Sequence, residues 1–363
     1  MPRAYVVGCG VAGLSASLAA QKAGFETFLF DMAHEAFYHT SGRNAAIGRS
    51  YEADPFLGKW QKETIKTLLA FPHILKPCGL LIRALEKDYS YGGANHELPD
   101  GLVPRSFSYV FPDGSSFSGE FLAANGIIDL RALAGFLLNQ CQLAGIKLFW
   151  EHELLTLHYK ATLLDELVLF SKSTKKTKSF GIRSQDIFIN AAGAWAAHVG
   201  AMVGSQVAII PHKRHLFYLK PPESKALPRE LPVIWDEHHD FYLRPAGEYI
   251  LATPGDQTAC APGDYVENPN MRYKMLHILQ THLPYFADFE IVTSHTCLRT
   301  FTRDHRPVVG FDPKITNFFW NAGWGGHGIS LSLGIIPFLE DLLKKGPRKE
   351  NEVENPFTVF RFF

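Results

Sequence analysis

The chain has 363 residues, with 36 basic side chains, 36 acidic side chains and five cysteines. This length allows a large core and two domains. The balanced charge gives no electrostatic reason to expect nucleic acid or an anionic membrane surface as a partner. The cysteines are scattered, odd in number and form no Cys-x-x-Cys pair, so a reducing compartment is favoured over a disulfide framework.

Residues 3–20 have the outline of a signal peptide, because an arginine precedes an apolar run. Cleavage there would destroy the glycine motif described next, which argues against a signal peptide. No other stretch stays apolar over the ~20 residues that a membrane-spanning helix needs. We therefore expect a cytoplasmic protein without a membrane span.

The first 31 residues have the pattern of a dinucleotide-binding β-α-β unit. An apolar run at 5–7 leads into Gly8-x-Gly10-x-x-Gly13, and an Ala- and Leu-rich helical stretch leads to a second apolar run that ends at Asp31. In such units the glycines allow a tight turn, close approach of a pyrophosphate and packing of helix on strand, while the helix N-terminus binds phosphate. The terminal acid can accept hydrogen bonds from ribose hydroxyls. The pattern predicts a bound dinucleotide.

Helices are expected at 55–70, 129–145 and 270–282, and at 329–343 with a kink at Pro337. Turns are expected at 99–101 and 112–114, and strands at 106–111, 146–150, 154–159, 163–170, 186–190, 209–219, 241–244 and 249–253. This alternation predicts an α/β fold in which a Rossmann-like dinucleotide-binding domain (1–76, 126–204 and 294–346) is interleaved with a second domain built on a mixed or antiparallel sheet (77–125 and 205–293). Residues 347–363 form a C-terminal tail.

A second glycine-rich turn, residues 325–328, opens the apolar helix near the C-terminus. Its N-terminus offers an anion site distinct from the one at Gly10. Two such sites suggest a cofactor whose charge-accepting parts lie far apart, as they do in a flavin dinucleotide. Small and hydroxyl residues with one arginine at 39–46, and small residues at 191–193 after a buried strand, suit close contact with such a ligand.

Together these motifs resemble the D-amino-acid oxidase family of FAD enzymes, in particular its D-arginine dehydrogenase, glycine oxidase and sarcosine-oxidase-like members. The matching stretches are 6–46, 190–195, 241–245, 298–301, 306–310, 325–328 and the tail at 356–361. The resemblance implies that FAD is held by Gly8, Gly10, Val11, Ala12, Gly13, Asp31, Met32, Thr40, Ser41, Arg43, Asn44, Ala45, Leu154, Ala192, Gly193, Trp195, Gly325, Gly326, His327, Gly328 and Ile329.

The resemblance also implies that Arg299 clamps a substrate carboxylate, with Arg214 and Tyr242 as companions. The expected reaction is oxidation of the C–N bond of an amino acid, with D-amino acids favoured, or of an N-substituted amino acid. Hydride passes to flavin N5, and the imine formed is hydrolysed. Oxygen or another carrier would accept the electrons. Cys297 lies where sarcosine-oxidase-like relatives carry a cysteine bonded to the flavin, although a buried cysteine is more often an inert small hydrophobe.

The chain departs from D-arginine dehydrogenase at Ile47 and Glu52, where that enzyme has a His and a Tyr facing the substrate. The resemblance therefore does not imply that this chain shares the substrate preference of D-arginine dehydrogenase. The departures favour an alternative, a non-catalytic or partner-dependent flavoprotein subunit. A relative acting on the aminomethyl group of a modified nucleotide would need a basic surface, and an NAD(P)-binding dehydrogenase would leave residues 325–328 without a role.

The run at 236–240, Asp-Glu-His-His-Asp, has the composition of a metal site. In a strand, however, neighbouring side chains point to opposite faces, so the two histidines cannot easily bind one ion. We expect a hairpin here and predict no metal site.

Overall fold

The computed structural model describes residues 1–84, 101–347 and 354–362. The predicted turn at 99–101 lies outside these residues except for Gly101, and so do residues 348–353 and 363 of the predicted tail. The described α-helices are α1 (Val11–Lys22), α2 (Pro55–Leu68), α3 (Leu130–Leu143), α4 (Ala196–Ala201), α5 (Asn270–His282), α6 (Gly328–Leu331) and α7 (Ile336–Lys345).

The described β-strands, in chain order, are β1 (Arg3–Val7), β2 (Glu26–Phe30), β3 (Ile47–Gly48), β4 (Leu75–Pro77), β5 (Leu80–Arg83), β6 (Arg105–Val110), β7 (Ser116–Leu122), β8 (Gly126–Ile128), β9 (Lys147–Phe149), β10 (His152–Lys160), β11 (Leu163–Ser171), β12 (Lys176–Gly181), β13 (Ile187–Asn190), β14 (Ile210–Lys220), β15 (Val233–Asp236), β16 (Phe241–Ala246), β17 (Tyr249–Thr253), β18 (Thr258–Ala259), β19 (Glu290–Phe301), β20 (Val308–Phe311) and β21 (Phe318–Ala322).

The amino-terminal strands lie in a six-stranded sheet with the order β20-β21-β13-β1-β2-β9. All neighbouring strands in it are parallel except β20 and β21. Because side chains alternate along a strand, Ala4 and Val6 pack in a core with helices α1, α3 and α7. Tyr5 and Val7 pack on the other face with α4 and the three-stranded sheet β10-β11-β12. A parallel sheet covered on both faces confirms the predicted Rossmann-like unit.

A second sheet, of nine strands, has the order β18-β14-β17-β16-β15-β5-β7-β6, and β19 pairs with β14. Phe241 and Leu243 of β16 lie in a core with helix α5. Tyr242, between them, packs on the opposite face with Ala45 and Ile47 of the nucleotide-binding segment. The mixed sheet is therefore covered by a helix on one face and by the cofactor segment on the other.

Strand β19 crosses the domain boundary predicted at residue 294. It is aligned antiparallel with β14 from Glu290 to Phe301. Residues 294–301, including Arg299, therefore belong to the nine-stranded sheet and not to the six-stranded one. The sequence hides this because β19 runs directly into the loop that returns the chain to the nucleotide-binding sheet. We therefore propose that the last segment of the nucleotide-binding domain begins after residue 301. The other predicted domain boundaries are kept as proposals.

The prediction of a single helix at 329–343 is wrong. The structure has the four-residue helix α6, a turn at residues 332–335, and then α7. Pro337 lies in the first turn of α7, where a missing N–H leaves no hydrogen bond unmade, so it starts a helix instead of kinking one. One turn also carries a much smaller dipole than the long helix we expected. Within the described residues, no helix is both long and apolar enough to cross a membrane.

Candidate cofactor and active site

A cavity of about 550 Å³ lies at the carboxyl ends of β1 and β13, the edge at which open α/β sheets bind ligands. We call it the first cavity. Ten of the predicted cofactor residues line it: Gly8, Gly10, Asp31, Met32, Thr40, Ser41, Leu154, Ala192, Gly193 and Trp195.

Asp31 follows β2 at the rim of the first cavity. Its carboxylate accepts hydrogen bonds from the backbone N–H groups of Cys9 and Ala33. Burial raises the pKa of Asp31, although these two N–H groups oppose the shift. The carboxylate is thereby held between the glycine turn and the cavity, where a ribose hydroxyl could donate to it.

The glycine turn packs closely on its surroundings, most tightly at Gly8 and Gly13. A Cβ on Gly13 would lie 1.6 Å from the carbonyl oxygen of Gly8, so the start of α1 packs directly on the turn. A Cβ on Gly10 would lie 3.0 Å from Ser41 Oγ and would narrow the cavity that both residues line. The N–H of Val11 donates to the same Ser41 Oγ over 3.0 Å. Small residues thus bring the N-terminus of α1 to the cavity surface.

A second cavity, of about 90 Å³, adjoins the first. The two share the lining residues Gly10, Thr40, Ser41, Ala191 and Gly193. Its other predicted lining residues are Val11, Ala12, Asn44, Arg299, Gly325, Gly326, Gly328 and Ile329. A dinucleotide with its ribose at Asp31 and its pyrophosphate at Gly10 would place its other half here.

Four predicted cofactor residues do not line either cavity. Gly13 packs on the glycine turn, and the guanidinium of Arg43 lies 4.3 Å from the ring centroid of Tyr265. The carbonyl oxygen of Ala45 accepts from Arg244 Nε over 2.5 Å. The imidazole of His327 forms polar contacts with Arg49 and Glu52 and does not line a cavity. The neighbouring glycines 325, 326 and 328 form the wall of the second cavity.

Two buried polar atoms in the second cavity's lining residues lack a hydrogen-bond partner. They are Oδ1 of Asn321, whose Nδ2 donates to the carbonyl of Ala12 over 2.9 Å, and Nε1 of Trp324. Buried polar groups are normally paired. These atoms, an acceptor and a donor in residues that line the cavity, could pair with a polar ligand held there.

Arg299, Arg214 and Tyr242 converge on one face of the nine-stranded sheet. Arg299 Nη2 donates to Tyr242 Oη over 3.2 Å. Arg214 is 1% exposed, its Nε has no hydrogen-bond partner, and its Nη1 lies 3.8 Å from Asp240 Oδ1. Burial, and then the charge of Arg299, lower the pKa of Arg214. Two adjacent guanidinium groups whose charge is compensated only by the 3.8 Å contact to Asp240, among the described residues, could bind an anion. We call this pair the candidate anion site.

The candidate anion site touches the wall of the second cavity. A Cβ on Gly326 would lie 2.8 Å from Arg299 Nε, so the glycine-rich loop packs directly on this guanidinium. Arg299 itself lines the cavity. An anionic substrate held by Arg299 would therefore lie beside whatever fills the second cavity.

Cys297 lies opposite Arg214 in the β14–β19 pair and is 4% exposed. Burial raises the pKa of its thiol, and the charges of Arg299 and Arg214 oppose this. Cys297 is a lining residue of neither cavity.

The turn at 236–240 joins β15 to β16 as the predicted hairpin. Asp236 is fully buried and accepts from the backbone N–H groups of His238 and His239. This backbone capping accounts for the acid at the start of the run. Among the described residues, no group of three potential metal-binding side chains is present.

Several lining residues are absent from the predicted site. They are His152, Glu153, His198 and Pro262 in the first cavity, and Asn321 and Trp324 in the second. Two of them carry a usable signal: Asn321 lies near the end of a buried parallel strand, as Asn190 does on β13, and Trp324 directly precedes the glycine-rich turn at 325–328.

Residues 3–336 match the model of the DAO family, the FAD-dependent oxidoreductases. The chain belongs to this family. The resemblance to FAD-dependent amino acid oxidases and dehydrogenases is thereby confirmed, and FAD replaces the nicotinamide alternative. The residues present fit FAD: the glycine turn and Asp31 would hold its adenosine diphosphate part, and the second cavity with Asn321 and Trp324 would hold the flavin.

Two curated relatives and one solved structure are similar to this chain. The chain is 29% identical over 188 residues to mitochondrial dimethylglycine dehydrogenase of Mus musculus, covering 47% of this chain and 21% of that protein. It is 27% identical over 162 residues to D-amino acid dehydrogenase of Xanthobacter autotrophicus, covering 45% and 37%. The match thus spans well under half the length of these relatives.

The structure is similar to that of L-proline dehydrogenase from P. horikoshii, with a TM-score of 0.79 and 15% sequence identity over 99% of this chain and 97% of that chain. At this identity the similarity shows a shared fold.

Proposed function

We propose that the protein oxidises the C–N bond of an amino acid, with D-amino acids favoured, or of an N-substituted amino acid. The observation that carries this proposal is the pair formed by the buried Arg214 and the half-buried Arg299 beside the second cavity. The relatives named above act, by their names, on dimethylglycine, D-amino acids and L-proline, which all join an amine to a carboxylate.

Arg299 and Arg214 bind the substrate carboxylate through charge-assisted hydrogen bonds. Because Tyr242 accepts from Arg299, its own hydroxyl hydrogen can donate to the same carboxylate. These contacts fix the α-carbon against the second cavity, which reduces the entropy lost in reaching the transition state. FAD, when bound, supplies a hydride acceptor at N5.

The substrate amine reacts as the neutral form, since its lone pair becomes the second C–N bond. The α-carbon loses a hydride and leaves an iminium ion, which loses a proton where the nitrogen carries a hydrogen, and the imine or iminium is hydrolysed by water. No general base of the protein is required for the hydride step. The residues of the chain thus act by binding and orientation.

The electron acceptor is oxygen or another carrier. A cytoplasmic location is proposed from the free state of all five cysteines, which is ordinary in a reducing compartment. Balanced charge gives no reason to add a nucleic acid to the proposed partners.

Anaerobic reduction of the bound flavin tests the proposal. The purified holoprotein is mixed without oxygen with D-amino acids, L-amino acids and N-methyl amino acids, each paired with its carboxamide. We expect at least one carboxylate to bleach the flavin band near ~450 nm, a property of the cofactor, and its carboxamide to do so far more slowly. If no member bleaches a fully loaded protein, the amino acid assignment is wrong and the subunit alternative replaces it.

A further inference from the structure

Arg49, Glu52 and His327 form a compact group behind the wall of the second cavity, here named the Arg49 cluster. Arg49 Nη2 lies 2.8 Å from Glu52 Oε2 and 2.7 Å from His327 Nδ1. Glu52 Oε2 lies 2.9 Å from the same nitrogen. The side chains of Arg49, Glu52 and His327 are 12%, 14% and 16% exposed, so solvent screens these contacts weakly.

The Arg49 cluster joins three parts of the chain. Gln61 of α2, fully buried, places its Nε2 3.4 Å from Glu52 Oε2 and 3.3 Å from His327 Nδ1. The backbone N–H of Arg49 donates to Ser330 Oγ over 3.2 Å, and this hydroxyl donates to the carbonyl of Ile47 over 3.2 Å. Segment 47–52, helix α2 and loop 325–330 are therefore fixed to one another.

His327 connects the Arg49 cluster to the second cavity. Gly325, Gly326 and Gly328, on both sides of it, line the second cavity. Glycines restrict their own backbone poorly. The position of this wall therefore depends on the anchored imidazole between them.

The charge of Glu52 is well defined. Burial alone would raise the pKa of this carboxyl, but the adjacent His327 and Arg49 outweigh burial and hold the pKa well below its usual range. Glu52 is thus a carboxylate at neutral pH and compensates the charge of Arg49. Without it, Arg49 would be a largely buried cation, 12% exposed, with no acidic partner in the contacts described here.

The Arg49 cluster is also in contact, through Trp235, with Tyr242 of the candidate anion site. The guanidinium of Arg49 lies 4.8 Å from the ring centroid of Trp235. The ring centroid of Trp235 lies 4.7 Å from that of Tyr242, which accepts from Arg299. The cluster therefore supports the cofactor wall and the candidate anion site at the same time.

We propose that Glu52 is a positioning residue which, through Arg49 and His327, fixes the glycine-rich wall of the flavin cavity and lowers the reduction potential of bound FAD. Reduction adds negative charge to the flavin. A carboxylate behind the cavity wall opposes that charge, and its removal leaves Arg49 to attract it. This inference rests on FAD binding alone and is independent of the proposed substrate.

The test is the reduction potential of the holoprotein, measured against a reference dye during slow enzymatic or photochemical reduction, which needs no amino acid. Glu52→Gln removes the charge and keeps the shape. We expect the equilibrium to shift about tenfold toward the reduced flavin, a rise of about 30 mV for a two-electron couple. Arg49→Met removes the opposite charge, so we expect its potential to fall.

Glu63→Gln is the matched control, because Glu63 is an exposed carboxylate on α2 paired with Lys66. Its potential should equal that of the wild type. A Glu52→Gln protein that is loaded with FAD and has the wild-type potential overturns the inference. If Glu52→Gln does not fold, Arg49→Met decides: a lower potential supports the inference, and an unchanged or higher potential overturns it.

Discussion

Arg214 and Arg299 lie beside each other although their like charges repel, and Arg214 is almost fully buried. Such a pair is unfavourable in the empty protein, because the carboxylate of Asp240, 3.8 Å from Arg214 Nη1, is the only one paired with either guanidinium among the described contacts. A bound carboxylate removes the repulsion and supplies the missing hydrogen-bond acceptors. The binding free energy of an anionic substrate therefore includes relief of this unfavourable charge.

Replacing Arg299 with lysine tests the role of one guanidinium. A lysine keeps the charge but cannot make two parallel hydrogen bonds to a carboxylate. We expect KM to rise, kcat to fall, and kcat/KM to drop roughly 10- to 100-fold, in line with the ~1.5–3 kcal/mol of a charged hydrogen bond. Steady-state kinetics check this, with Arg303→Lys, an exposed arginine in the turn after β19, as the control. Unchanged kinetics in Arg299→Lys would remove Arg299 from the candidate anion site.

Cys297 is expected not to bond the flavin. Its thiol is buried, its pKa is raised by burial, and it does not line either cavity, so a thiolate is disfavoured. Acid precipitation should release all the flavin into the supernatant, from the wild type and from Cys297→Ser alike. Flavin that stays with the precipitated wild type and is lost from Cys297→Ser, but not from Cys260→Ser, would establish the covalent bond.

At the scale of elements, the β-α-β unit could be predicted because its signals are local. Strand, glycine turn, helix and terminal acid follow one another within 31 residues. The Arg49 cluster could not be predicted, since Glu52 and His327 are far apart in sequence and meet only after the sheets pack. The break between α6 and α7 was missed because the apolar pattern continues through the turn, and only Pro337 marks the new start.

Replacing Gly10 with valine tests whether the β-α-β unit binds the cofactor. Its φ of −78° is open to any residue, so Gly10→Val should fold. The added side chain would meet Ser41 Oγ and fill the place proposed for the pyrophosphate. We expect FAD affinity to fall at least ~10-fold, the loss of about 1.4 kcal/mol. Flavin fluorescence titration measures this, with Gly135→Val on α3 as the control, since a Cβ at Gly135 meets nothing within 4 Å. A Gly10→Val protein that keeps wild-type affinity would contradict the assignment.

At the scale of the whole molecule, the cofactor cleft lies between the two sheets, and contacts around it hold them together. Arg244 of the nine-stranded sheet donates to the carbonyl of Ala45, and Tyr265 packs under the guanidinium of Arg43. The described part of the tail is anchored to the loop at 304–307. Arg361 donates to Asp304 Oδ2 over 2.7 Å and to backbone carbonyls at 306, 307, 357 and 358.

The contact between Arg361 and Asp304 predicts a pH dependence of stability. Burial would raise the pKa of Asp304, but the hydrogen bond from Arg361 and other donors lower it to about 2 from an ordinary value of 3.8. The ionised Asp304 therefore contributes its full stabilisation of the folded state above its ordinary pKa of 3.8. This contribution is lost as the pH falls through about 2. Arg361→Ala should lower the Tm by about 2 °C at neutral pH, since partly exposed pairs contribute up to ~1 kcal/mol. The difference should shrink below the ordinary pKa of Asp304, and thermal melts showing a constant difference would refute the linkage.

The most direct test of the account is a stopped-flow comparison of one amino acid with its carboxamide as reductants of the bound flavin under anaerobic conditions. The two differ in the single charge that Arg214 and Arg299 are proposed to bind. The account predicts that the carboxylate reduces the flavin at least ~10-fold more efficiently, the effect of about 1.4 kcal/mol of transition-state stabilisation. It also predicts that this preference shrinks in Arg299→Lys. Equal reduction by both compounds in the wild type would contradict the candidate anion site and with it the proposed function.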